Sequence, residues 1–154
     1  MTWPAAAVFR LLVAALCGAV IGWEHEVHEK GAGLRTHILI SVGACLFALI
    51  ALSMHRDFPG GDVLRLLQGM LLGVSFLAGG VIFMRGGSIH GLTTAAGLWV
   101  LTGIGLAVGL GYYFLAACTT LLAAATIAWL KHLERRLHRG PESPDEMPGS
   151  RPGD

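Results

Sequence analysis

Charge is scarce in this chain. Only 14% of its 154 residues are Asp, Glu, Lys or Arg, and the net charge of +1 leaves no excess of either sign. That balance gives no electrostatic basis for a nucleic-acid or strongly acidic partner. Cysteine is sparse too: Cys17, Cys45 and Cys118 each sit inside an apolar run, and no two form a CxxC pair. A zinc site or structural disulfide therefore has no support, and the three read as small packing residues. The N-terminus lacks a basic stretch before its first apolar run, and Arg10 interrupts that run, so residues 5–23 read as a retained membrane span rather than a signal peptide. No nucleophile–base constellation and no phosphate-binding loop is visible, so the chain does not read as an enzyme.

What remains is apolar. Hydrophobic residues make up 54% of the chain, and the mean hydropathy is +0.64. The charges cluster, which leaves apolar runs close to the roughly 20 residues that cross a bilayer as helix. The pattern predicts an all-α membrane protein, a bundle of about five transmembrane helices over residues 5–23, 37–54, 63–84, 92–109 and 112–130. The membrane domain is expected over residues 1–139. Residues 140–154 hold four of the six prolines and no apolar run, and read as a disordered tail.

Residues 69–99 organise the reading: an apolar helix, a basic Gly-rich turn from Arg85 to Gly91, then a second apolar helix. The first helix is seeded with Gly69, Gly73, Gly79 and Gly80. Gly18 with Gly22 and Gly105 with Gly109 add two GxxxG spacings. In lipid, small residues let helix backbones approach and gain dispersion contacts. Such a face serves either packing within one chain or association with another. Thr93 and Thr94 open the fourth span, where hydroxyls can bond within or between helices.

The polar residues collect at the span ends. Arg10 would cost about 2.5 to 3.5 kcal/mol at a membrane centre, but it lies near an end, where it can snorkel or find a partner. The first connector carries Glu24, His25, Glu26, His28, Glu29, Lys30 and Arg35, followed by Thr36. It invites a metal reading, yet His25-Glu26-Val27-His28 is one residue short of HExxH. It reads as a polar connector or as a charged cluster that senses or guides a cation. Asp62 is expected to cap the third span, with Arg65 and Gln68 in its first turns. Mg²⁺ would need oxygen ligands facing water, and no ligand motif for it or for any other metal or cofactor is present.

Connector bases divide unevenly. Lys30, Arg35, Arg85, Lys131, Arg135, Arg136 and Arg139 fall on one side, with Arg56 and Arg65 on the other. The positive-inside rule then predicts the N-terminus outside and the C-terminus in the cytoplasm. Ionisable groups at membrane depth usually pair. The expected pairs are Arg10 or Arg65 with Asp62, and Glu24 or Glu26 with Arg35 or Arg85.

Several stretches, taken together, resemble the MgtC/SapB family of bacterial inner-membrane proteins. They are Arg10-Leu-Leu, Gly18-Ala-Val-Ile-Gly-Trp-Glu24 with Glu26, Lys30-Gly-Ala-Gly-Leu-Arg-Thr-His37, and Asp62-Val-Leu-Arg65. They continue with Gly73-Val-Ser-Phe-Leu-Ala-Gly-Gly-Val-Ile82, Gly91-Leu-Thr-Thr-Ala-Ala-Gly-Leu-Trp99 and Gly105-Leu-Ala-Val-Gly109. They are collinear over roughly residues 8 to 115. His25 stands where the family often has Arg, and Val63 where it often has Pro. Gly73-Val-Ser-Phe-Leu-Ala-Gly-Gly80 replaces a Gly-Ile-Gly-Phe-Leu-Gly-Ala-Gly string. The resemblance implies a multi-pass protein of the bacterial inner membrane, in a short form without the C-terminal domain of long members. It implies a regulatory role linked to magnesium limitation, acid stress, virulence and membrane energetics, through binding a membrane complex such as ATP synthase. The GxxxG spacings add a second copy of the chain as a candidate partner. The alternative is an oligomeric Mg²⁺ or proton transporter.

Overall fold

A computed structural model describes residues 3–26, 32–58, 62–85 and 87–137, apart from the side chains of Trp3, Arg85 and residues 130–137. Lys30 and residues 138–154, including Arg139 and most of the expected tail, lie outside the described residues. Five helices follow in order: α1 (Trp3–Glu26), α2 (Leu34–Asp57), α3 (Val63–Gly80), α4 (Leu92–Leu110) and α5 (Tyr113–Leu137). The first four are each long and apolar enough to cross a membrane. In α5 the apolar part is Tyr113–Trp129, and its basic turns follow. The chain is an all-α membrane bundle.

Successive helices run in opposite directions, so the bundle has two ends. One gathers the start of α1, the α2–α3 connection and the α4–α5 turn. The other gathers the α1–α2 elbow, the α3–α4 connection and the end of α5. The core lies where α1, α2 and α4 meet, and α5 adds to it. Ala14, Ile21, Cys45, Leu49, Leu101, Ile104, Val108 and Ala116 are buried there. A smaller cluster of Ala32, Ala78, Ala95 and Leu98 joins α3 to α4.

Small residues decide which helices touch. A Cβ added at Gly18 would lie 2.9 Å from the His37 carbonyl oxygen, and one at Gly22 would lie 3.0 Å from the Leu34 Cα, so α1 and α2 meet backbone to backbone. A Cβ at Gly105 would strike the Ser41 carbonyl, and one at Gly109 would come within 2.7 Å of the Cys45 carbonyl, so α2 and α4 do the same. Ser41 ties the faces further by donating its hydroxyl to the Ala14 carbonyl at 2.7 Å. Both GxxxG spacings therefore pack within one chain.

The third span is shorter than its apolar run implies. Residues 63–84 read as one helix, but α3 ends at Gly80. Two three-residue strands follow, β1 (Phe83–Arg85) and β2 (Ser88–His90). They pair antiparallel, with Phe83 opposite His90 and Met84 opposite Ile89. Consecutive glycines at 79 and 80 weaken the helix, and the hairpin satisfies the backbone instead. Gly91 then takes φ +89 beside the Val81 carbonyl, where a Cβ would clash. Ile82, Phe83, Met84 and Ile89 all project from this hairpin into the surroundings.

Candidate functional site

The two ends of the bundle hold different chemistry. At the α4–α5 turn, Gly111 adopts φ +91, and its N–H and that of Tyr112 bond back to Val108 and Ala107. This is the Schellman arrangement, which satisfies two of the carbonyls a helix leaves open at its C-terminus. Arg10 takes a third: its guanidinium donates to the Gly109 carbonyl at 2.6 Å. Of the two partners expected for Asp62, Arg65 takes it and Arg10 does not. A cation at a helix C-terminus meets the negative end of the macrodipole, so backbone does the work expected of a carboxylate. Phe9 packs edge-on against Tyr113 beside this contact.

Asp62 is where capping chemistry puts it. Its carboxylate accepts from the Arg65 backbone N–H at 3.1 Å and pairs with the Arg65 side chain at 3.3 Å. Both side chains are exposed, and so is Gln68 in the next turn.

At the other end, the α1–α2 elbow brings together residues that are distant in sequence. Glu26 reaches across and accepts from the Leu34 N–H at 2.8 Å, capping α2, because its N-cap residue Gly33 has no side chain to do so. A Cβ at Gly33 would collide with that carboxylate. The expected partner Arg35 is exposed, as is Thr36 beside it in sequence. Glu24 is half-buried, and the Arg85 side chain lies outside the described residues.

Beneath this cap lie two histidines with no exposed surface, His25 of α1 and His37 of α2. Their ring centroids are 4.5 Å apart, with planes tilted by 39°. Each Nδ1 lies within hydrogen-bond distance of the carbonyl four residues earlier, Ile21 at 3.2 Å for His25 and Gly33 at 2.9 Å for His37. Gly97 of α4 packs over the pair, and a Cβ there would meet the His25 ring at an ordinary contact distance of 3.6 Å. Sequence reading noted His25 as a connector residue and His37 as a span edge, but not their meeting. The one signal was a histidine at each edge of the same return. Thr94 is buried on α4, while Thr93 is exposed and lines a groove between α4 and α5.

The third feature is α3 itself. A Cβ added at Gly69, Gly73, Gly79 or Gly80 would meet nothing within 4 Å. Grooves of about 540 and 590 Å³ flank the helix, sharing Phe47, Met70, Val74 and Leu77 in their walls. Leu64, Leu72 and Phe76 each leave more than two thirds of their surface uncovered.

Comparison with known proteins places this architecture. The MgtC family model matches residues 11–136. The chain belongs to the MgtC family. Protein MgtC of Salmonella typhimurium strain LT2 is 36% identical over 136 residues, covering 88% of this chain and 57% of that protein. YhiD of Escherichia coli K12, named as a candidate magnesium transporter, is 36% identical over 135 residues, covering 84% and 63%. SapB of Bacillus subtilis strain 168 is 35% identical over 141 residues, covering 88% and 60%. The chain thus spans about three fifths of the length of the curated relatives it matches. No solved structure matches it significantly. With its apolar helices, this MgtC-family chain is a multi-pass protein of the bacterial inner membrane.

Proposed function

We propose that this MgtC-family protein is a regulatory membrane protein that acts by binding a second membrane complex, with ATP synthase as the candidate the family resemblance suggests. The observation that carries the proposal is the contrast between glycine faces. The GxxxG pairs Gly18–Gly22 of α1 and Gly105–Gly109 of α4 lie against α2, whereas Gly69, Gly73, Gly79 and Gly80 of α3 all face open space. An outward small-residue face lets a partner helix approach closely in lipid, where close packing rather than hydrophobicity drives association. The expected orientation, N-terminus outside and C-terminus cytoplasmic, puts the α1–α2 elbow and the hairpin in the cytoplasm. A reporter fused after Arg139 that is active in the cytoplasm supports it, and one active only in the periplasm overturns it.

The test is photocrosslinking in native membranes from a benzophenone side chain at Gly69 or Gly73. Capture of subunits of one membrane complex supports the reading, and recovery of lipid adducts alone sinks it. A Mg²⁺ transporter is the second reading, favoured by the name of the Escherichia coli relative. Asp57, Asp62, Glu24 and Glu26 all lie at helix ends, so no described carboxylate stands at the middle of a span to relay a divalent cation. Saturable Mg²⁺ flux into liposomes, lost in Asp62→Asn or Glu24→Gln, would make transport the primary function.

A further inference from the structure

We propose that His25 and His37 form a binding site for one proton, shared between the two imidazoles at the junction of α1, α2 and α4. Both rings are fully buried, and their centroids are 4.5 Å apart. A carbonyl can only accept, so each Nδ1 carries its hydrogen toward the carbonyl four residues back. That fixes the tautomer of both neutral rings and leaves a lone pair on each Nε2. The Nε2 of His37 is buried and has no hydrogen-bond partner. An orphaned acceptor in an apolar interior is costly, and such a group marks either strain or a missing ligand.

The ligand that fits is a proton. Bound to one Nε2, it becomes an N–H that the other imidazole can accept once the rings, now face to face, turn edge to edge, giving the pair a single positive charge. A second proton would set two charges at that ring separation in a low dielectric, so the pair titrates as one unit. The charged described side chains at this corner are Glu24 and Glu26 of α1, which favour the cationic form, and Arg35 of α2, which opposes it but is exposed. Between Leu92 and Leu110, α4 carries no ionisable residue. Because Gly22 lies against the His37 Cβ and Gly97 against the His25 ring, ring movement on protonation is felt by all three helices.

Proton counting on the full chain in lipid nanodiscs tests this. Uptake from about pH 8 to about pH 5, the range in which histidines change charge, is compared for wild type, His25→Asn, His37→Asn and the double variant. Asparagine keeps an amide N–H near the Nδ1 position, so the carbonyl bonds can persist. Each single variant is expected to lose one proton of uptake, and the double variant the same one proton, because neither imidazole holds it alone. Loss of two protons in the double variant, or of none, overturns the proposal. ¹⁵N-histidine spectra of the wild-type chain give a check that needs no substitution. Two rings protonated only at Nδ1 are expected at pH 8, and on acidification they shift together. Rings protonated at Nε2 at that pH, or shifting independently, refute it.

Discussion

Helices α3 and α4 are of similar length and equally rich in glycine, yet they sit in opposite surroundings. Half of an 18-residue window of α4 is buried, against 11% for α3. In α4, Gly105 and Gly109 sit where the backbone of α2 passes, while Gly97 meets only the His25 ring and Gly103 faces open space. In α3 the glycines are where nothing passes. Glycine lowers the stability of an isolated helix by about 1 kcal/mol relative to alanine. At Gly105 and Gly109 that cost is offset by close contact with α2. In α3 no contact within the chain offsets it, so the same residue type must be explained by something outside the chain or by the local chain path.

The comparison can be broken most forcefully at Gly105. Gly105→Leu would drive a side chain into the Ser41 carbonyl and the Ala44 Cβ. Overpacking of this kind costs about 1 to 3 kcal/mol or more. Thermal unfolding in detergent should show a large drop in Tm or loss of folded protein. An unchanged Tm would mean that α2 and α4 are not in contact.

Next in size is Arg10→Leu. It removes a charge-assisted bond to the Gly109 carbonyl, worth about 1.5 to 3 kcal/mol. Arg10→Lys should recover part of the loss, because the charge remains near the helix end. Equal effects of Leu and Lys would rule out the helix-end role.

Glu26→Ala uncaps α2 and should cost about 1 kcal/mol, the usual size for losing an N-cap. Hydrogen exchange at the first turn of α2 should rise, and exchange that stays unchanged there would count against the cap. Asp62→Ala is milder in its ion-pair part, since exposed pairs contribute roughly 0 to 1 kcal/mol. A salt-independent loss in that variant would assign the effect to its capping bond with the Arg65 N–H instead.

Much of this was legible in the sequence, for identifiable reasons. Apolar run length gave five helices, and Asp62 announced the start of α3 because capping depends on neighbours three residues apart. The partner of each GxxxG pair was not legible, since Gly18–Gly22 and Gly69–Gly73 look alike until a neighbouring helix is placed. For Arg10 the sequence offered only snorkelling or a carboxylate partner, because backbone carbonyls have no letter of their own in it. The strands at Phe83–Arg85 and Ser88–His90 are three residues each, too short for a period to show, and an unbroken apolar run from Val81 to Met84 concealed the end of α3. His25 and His37 were separated by a polar return, and only the elbow's closure brings their rings together.

The central claim is that α1, α2 and α4 carry the fold while α3 carries an outward binding face. It is tested most directly with the Gly69→Leu/Gly73→Leu double variant, assayed for Tm in detergent and for partner capture in native membranes by a crosslinker at an exposed neighbour such as Leu72. The account predicts an unchanged Tm and lost capture. A fall in Tm comparable to that of Gly105→Leu, or capture that survives both leucines, would contradict it.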